Sequence, residues 1–228
     1  PSSVMLALKQ ALSLVSMKTL GGWSPSDETS LVAWYKNQAG ITLNGTDVSE
    51  WSDSSSNSHD MVQATASEQP LYSAGELTFD AADTQNLQTQ SQISLTGEFT
   101  IGMRIRPSSF NNVILGDNTT SNEFFKFTAS NNIRIKIDGS TVNIDLDSGT
   151  FGNDYLVLTR DSYNVIRLYQ NGTIQAVTPT LAGTSDIDAI GVRATDVNAY
   201  AGSVWEIQIY RATSTALTAN VNNRLSNI

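Results

Sequence analysis

Ala201-Gly202-Ser203-Val204-Trp205-Glu206-Ile207-Gln208-Ile209-Tyr210-Arg211 is the stretch on which the fold turns. Side chains of an extended chain alternate between two faces. Trp205, Ile207 and Ile209 therefore share one side, and Val204, Glu206, Gln208 and Tyr210 share the other. The first set is aromatic or β-branched, the types that pack best on a pleated, buried surface. Trp205, Ile207 and Ile209 are expected to face the core. Such a strand needs a sheet around it, so the rest of the chain should supply further strands.

It does. Short apolar or alternating runs recur upstream: Leu31–Tyr35, Val48–Trp51, Pro70–Tyr72, Glu76–Asp80, Phe99–Arg106, Val113–Leu115 and Phe124–Phe127. Ile133–Ile137, Val142–Leu146, Tyr155–Thr159, Val165–Tyr169, Thr173–Val177 and Ile190–Arg193 follow. In the Phe99–Arg106 run, Phe99, Ile101, Met103 and Ile105 are expected inward, with Thr100, Gly102, Arg104 and Arg106 outward. Asp138-Gly139 and Asn171-Gly172 are signals for tight hairpins. That reading yields at least twelve short strands with no helix between them. A parallel sheet would require alternating helices. The expected fold is all-β: a two-sheet antiparallel β-sandwich, or jelly roll.

Both ends read as helices. Leu217–Ile228 is helix-like and closes the chain. Residues 3–18 form an apolar helix, capped by Ser2 or Ser3 and stopped by Gly21-Gly22. Its polar residues gather on one side, and a helix this apolar needs cover. It packs on its own sheet, docks onto a neighbouring subunit, or lies on a membrane surface. A single interior lysine argues against the last. Docking through Val4, Leu8, Leu12 and Val15 is the expectation. The chain divides into a helical arm (1–22), a linker (23–29) and a sandwich (30–228).

Composition narrows the function classes. The 228 residues carry a formal net charge of -9, with no basic run, which disfavours nucleic acid. There is no cysteine, which removes disulfides, thiol catalysis and thiolate metal sites. No segment has the roughly 20 apolar residues of a membrane helix. Val4–Leu20 lacks the leading positive charge and the small-residue cleavage site of a signal peptide. Asn44, Asn118 and Asn171 open glycosylation-type triplets, read here as turns.

Three blocks carry a resemblance. The first is Leu31–Tyr35 followed by Val48 to Asp60, where Trp51-Ser52-Asp53-Ser54-Ser55-Ser56-Asn57 resembles a Trp-x-Asp-x-Ser-Gly-Asn loop with Ser56 replacing glycine. The second is Phe79-Asp80-Ala81-Ala82-Asp83 through Leu87, with Ala81 where glycine is usual. The third is Gly202–Tyr210 with the short helix after it. Together they resemble the concanavalin A-like lectin/glucanase superfamily in its laminin-G-like branch, over residues 30–228. The resemblance implies a jelly roll that serves enzymes, lectins and scaffolds alike. Such domains without secretion signals are common among bacteriophage virion proteins.

Candidate chemistry is sparse. Glycosidases need two positioned carboxylates. Glu206 stands alone on its strand, and Asp145-Leu146-Asp147 has no glutamate partner. His59 is the only histidine, so no triad or His-rich metal site can form around it. It reads as a turn residue bonding locally. Calcium is the plausible ion for this fold, with Asp53 and Asp80 its most plausible ligands, although turns also favour Asp for backbone reasons. Sugar binding would use aromatics in loops: Tyr163, Tyr200 and Phe110. Trp34, Trp51 and Trp205 are expected in the core, and Trp23 in the linker.

The reading with which the sequence leaves us is a non-catalytic structural protein of a phage particle, of capsid-decoration or appendage type. It would be located in the virion, with copies of itself or a capsid protein as partners. The alternative is a lectin-like module recognising host-surface glycans.

Overall fold

The computed structural model describes residues 22–120, 123–194 and 196–228, except the side chains of residues 123 and 124. The docking residues Val4, Leu8, Leu12 and Val15 lie outside the described residues.

Strands β1 (Leu31–Tyr35), β2 (Ile41–Asn44), β3 (Asp47–Trp51), β4 (Met61–Val62), β5 (Leu71–Ser73) and β6 (Glu76–Phe79) come first. Then follow β7 (Leu87–Leu95), β8 (Phe99–Pro107), β9 (Asn112–Gly116), β10 (Glu123–Ala129), β11 (Asn132–Ile137) and β12 (Ser140–Asp145). β13 (Asp154–Arg160), β14 (Ile166–Gln170), β15 (Thr173–Ile174), β16 (Ser185–Ile190) and β17 (Gly202–Tyr210) complete the set, and helix α1 (Thr215–Ser226) ends the chain.

All the strand pairings are antiparallel, and they build two layers. One runs β1-β17-β8-β13-β14-β15. The other runs β12-β11-β10-β9-β16-β7-β4-β3-β2. Strands β6 and β5 join them at a corner, since β6 pairs with the start of β17 and β5 reaches β3. The protein is an all-β sandwich with one C-terminal helix.

The core lies between the layers. Phe99, Ile101, Met103 and Ile105 meet Ile93, Leu95, Leu115, Phe125, Phe127, Ile133 and Ile135, all fully buried in one cluster. Burying each such side chain favours folding by about 1.5–3 kcal/mol. The alternation expected in β8 therefore holds on its inner face. Asp138-Gly139 and Asn171-Gly172 make the expected hairpins, each with two positive φ angles (46° and 78°; 50° and 80°).

Three expectations need correction. Ile190–Arg193 is not a strand: the extended segment is Ser185–Ile190 and the chain turns after it. Strand β7 went unread because Gln88, Gln90, Ser91 and Gln92 interrupt its apolar positions, Leu87, Ile93 and Leu95. Trp205 is not a core residue. The pairing of β17 with β8 slips between Val204 and Glu206, so a bulge changes the phase. Val204 takes the inward place, and Trp205 is half-buried with the guanidinium groups of Arg104 and Arg106 5.9 and 5.4 Å from its ring.

The outer face of the β17-β8-β13-β14 layer is also covered. Helix α1 lies over it, with Leu217, Val221 and Leu225 packed on Val157 and Tyr210. Gly102 makes the close approach possible, since a Cβ there would stand 2.3 Å from Val221 Cγ1. Ser214 caps the helix by accepting from the Leu217 amide at 3.0 Å.

Candidate functional site

The Ser52–Asp60 loop is organised by one carboxylate. Asp53 Oδ1 accepts from the amides of Trp34 and Ser55, both at 2.8 Å. Its Oδ2 accepts from the Ser55 hydroxyl at 2.7 Å and the His59 amide at 3.1 Å. Asp60 holds the Asp53 amide at 2.8 Å. Asn57 donates its side-chain amide to the carbonyls of Leu31 and Val32 at 3.0 and 2.8 Å, fastening the loop to β1.

These bonds bear on the calcium candidates. The four lone-pair directions of Asp53 are taken by donors of its own chain, leaving no oxygen for a cation. Asp80 is exposed and accepts from the Ala82 amide within its own turn. Among the described residues, no group of three or more His, Cys, Asp or Glu could hold a metal.

His59 differs from its expected local role. It is buried, and its Nδ1 lies 2.7 Å from the carbonyl of Ser91, in β7. A carbonyl only accepts, so the ring carries its proton on Nδ1. The His59 carbonyl accepts from Tyr35 Oη at 2.7 Å. Burial, then the charges of Asp53 and Asp60, push the Tyr35 phenol well above its ordinary range. His59 thus ties the loop to a strand distant in sequence.

Glu206, alone on its strand in sequence, has no exposed surface. Its oxygens accept from Trp34 Nε1 at 2.9 Å, the Asn37 amide at 3.0 Å, Gln208 Nε2 at 2.7 Å and Arg224, whose Nη2 is at 2.8 Å. Arg224 Nε also pairs with it. Asp147 accepts from the Ala176 amide at 3.0 Å with both oxygens, and Asp145 accepts from Asn132 at 2.7 Å.

The aromatic candidates separate. Tyr200 is fully buried, edge-on to Phe79, and Phe110 packs on the main core; neither is the exposed sugar platform considered for it. Tyr163 is 82% exposed at the tip of the β13–β14 hairpin. Trp34 and Trp51 are in the core as expected.

A depression of about 440 Å³ opens beside the Asp53 loop, lined by Ser26, Glu28, Thr29, Leu31 and Ser54–Asn57. One wall is the loop just described. The other is the stretch read as linker, which forms a 3-10 turn at Pro25–Asp27, closed by a capping box between Ser24 and Asp27. Glu28 Oε1 accepts from the half-buried Trp23 indole at 2.8 Å. Ser54, Ser56 and Thr29 present hydroxyls that no group among the described residues engages. This pocket was not foreseen, although Ser24-Pro25-Ser26-Asp27 carries a turn signal that would have located one wall.

No protein-family model matches the chain, and no curated protein does. Solved structures do. The binding domain of Paraclostridial Mosquitocidal Protein 1 aligns with a TM-score of 0.58 at 15% identity, over 90% of this chain and 53% of that one. Trypanosoma rangeli sialidase, solved with the inhibitor DANA, aligns at 0.54 and 13%, over 86% of this chain and 32% of that one. The CBM40 of Ruminococcus gnavus IT-sialidase, solved with alpha2,3 sialyllactose, covers 56% of this chain at 18% identity and 0.42. The feature shared with the first two is the β-sandwich. This chain spans about half the length of the first neighbour and about a third of the second.

Proposed function

We propose that this chain is a non-catalytic carbohydrate-binding module on a concanavalin A-like sandwich, with the depression beside the Asp53 loop as its sugar site. The observation that carries this reading is the lining of that depression. Its volume of about 440 Å³ falls within the range of small-ligand sites. A sugar offers hydroxyls that both donate and accept. The depression answers with the Ser54, Ser56 and Thr29 hydroxyls and the Glu28 carboxylate. The wall is held in shape by the bonds to Asp53 and Asn57, so little ordering is left to binding.

The reading agrees with the fold likeness to a toxin's binding domain. The particle-structure reading depends on Val4, Leu8, Leu12 and Val15, outside the described residues, and no geometry here favours it. The non-catalytic part of the proposal is supported by Glu206 and Asp147, whose oxygens are engaged in structural bonds.

A glycan array probed with the full chain tests it. Reproducible binding to a defined glycan is expected, weakened about tenfold or more by Glu28→Gln and by paired Ser54→Ala and Ser56→Ala. No binding across the array, or binding indifferent to these changes, overturns the proposal.

A further inference from the structure

A second pocket lies on the opposite chemistry. It has a volume of about 210 Å³ and sits where helix α1 begins, over the outer face of β13 and β14. The register explains its lining. Thr159 of β13 faces Arg167 of β14, and Val157 faces Tyr169, so Thr159, Arg167 and Tyr169 project from one face. The first turn of α1 adds Ser214, Thr215 and Thr218.

Two observations point to a ligand. Thr159 is only 3% exposed and lines the pocket, and its hydroxyl has no partner among the described residues. Thr218, 7% exposed, repeats this on the helix side. Independently, the helix start is electropositive. Ser214 Oγ engages the Leu217 amide, and the Ser214 carbonyl takes the Thr218 amide, which leaves the Thr215 and Ala216 amides without an intrahelical acceptor. No acidic residue stands in the first turn to neutralise it. Arg167 gives Nη1 to Asp161 at 2.7 Å and keeps its Nε and Nη2 hydrogens available. The lining is thus rich in donors, on three sides of one small space.

We propose that this pocket is an oxyanion site taking a tetrahedral phosphate or sulfate group, bound by Arg167, the Thr215 amide and the Thr159 and Thr218 hydroxyls. A tetrahedral anion presents acceptors in several directions at once, which suits donors arriving from a sheet below and a helix end beside it. A planar carboxylate or a neutral sugar uses fewer of them. The site is separate from the depression near Glu28 and does not depend on the carbohydrate reading.

Amide NMR on the full chain tests it, with inorganic phosphate, inorganic sulfate, acetate and a neutral methyl glycoside as probes against chloride at matched ionic strength. Saturable shifts at Thr159, Thr215 and Thr218 are expected with phosphate or sulfate, and whichever of the two binds more tightly identifies the ester to look for. Arg167→Gln and Thr159→Val should each weaken binding about tenfold. Thr218→Val, which keeps the shape of the side chain, serves as a third variant should either unfold, and should weaken binding severalfold. Shifts that do not saturate, that match chloride, that survive all three substitutions, or that appear only with acetate or the glycoside overturn the proposal.

Discussion

Strand β17 has two buried faces built from opposite materials. Inward, Val204, Ile207 and Ile209 enter the apolar cluster between the layers. Outward, Glu206, Gln208 and Tyr210 are as fully buried, but under α1 and in a chain of hydrogen bonds. Tyr210 Oη donates to Gln208 Oε1 at 2.7 Å, and Gln208 Nε2 donates to Glu206 at 2.7 Å. Arg224 and Trp34 close the network from α1 and β1. The inner face is held by contact area, which tolerates repacking. The outer face is held by matched donors and acceptors, which do not.

The largest effect should therefore come from the outer face. Glu206→Ala leaves Trp34 Nε1, the Asn37 amide, Gln208 and Arg224 without their shared acceptor. Breaking a buried pair on one side costs about 3–5 kcal/mol. Urea denaturation should show this as a lowered midpoint, with Ile207→Ala on the inner face as the reference at about 2–5 kcal/mol. A loss under about 1 kcal/mol for Glu206→Ala would mean that the network adds little beyond packing.

Next comes the seam where helix meets sheet. Gly102→Ala would place its methyl against Val221 Cγ1, at a distance no two carbons accept. Overpacking of this kind costs about 1–3 kcal/mol. Val221→Ala should restore part of it in the double variant, because the two changes share one space. Additive losses would show that α1 shifts to make room.

How much of this was legible in the sequence follows from the same comparison. Inner faces announce themselves: Phe99, Ile101, Met103 and Ile105 alternate, and Asp138-Gly139 and Asn171-Gly172 mark hairpins, so the sandwich could be read directly. The burial of the outer face of β17 was not legible, because Glu206, Gln208 and Tyr210 are polar and period-two patterning cannot report burial achieved through hydrogen bonds. Trp205 was misplaced because one bulge changes the phase of every residue before it, and nothing local in Gly202–Tyr210 marks it. The depression beside Asp53 was hidden for a third reason. Its walls, Ser26–Leu31 and Ser54–Asn57, are joined by long-range bonds such as Asn57 to Leu31.

Trp205 sharpens the lesson at smaller scale. A tryptophan in the core would cost about 3–5 kcal/mol on truncation to alanine. Half-buried, with Arg104 and Arg106 beside its ring, it should cost about 1 kcal/mol or less. Equilibrium unfolding of Trp205→Ala decides between the two placements, and a loss above about 3 kcal/mol would return it to the core.

The smallest effect lies where the outer face meets water. Asp161 and Arg167 pair at 2.7 Å with side chains 22% and 33% exposed, in contrast to the Glu206–Arg224 pair, whose carboxylate is fully buried. The bond from Arg167 is the largest influence holding the Asp161 carboxyl below its ordinary value, helped by the Val165 and Tyr163 amides and opposed by desolvation. A lowered native value means that the folded state favours the ionised form. The resulting stabilisation is present above the ordinary carboxylate range, near pH 4, and disappears as pH falls through the lowered native value. Carbon-detected titration of Asp161 should give a midpoint below the free carboxylate, and Arg167→Gln should move it upward while global stability at neutral pH changes little. An Asp161 midpoint unmoved by Arg167→Gln would assign the shift to the two backbone amides instead. The exposed pair would then contribute nothing to the ionisation it accompanies, and the contrast with Glu206 would be complete.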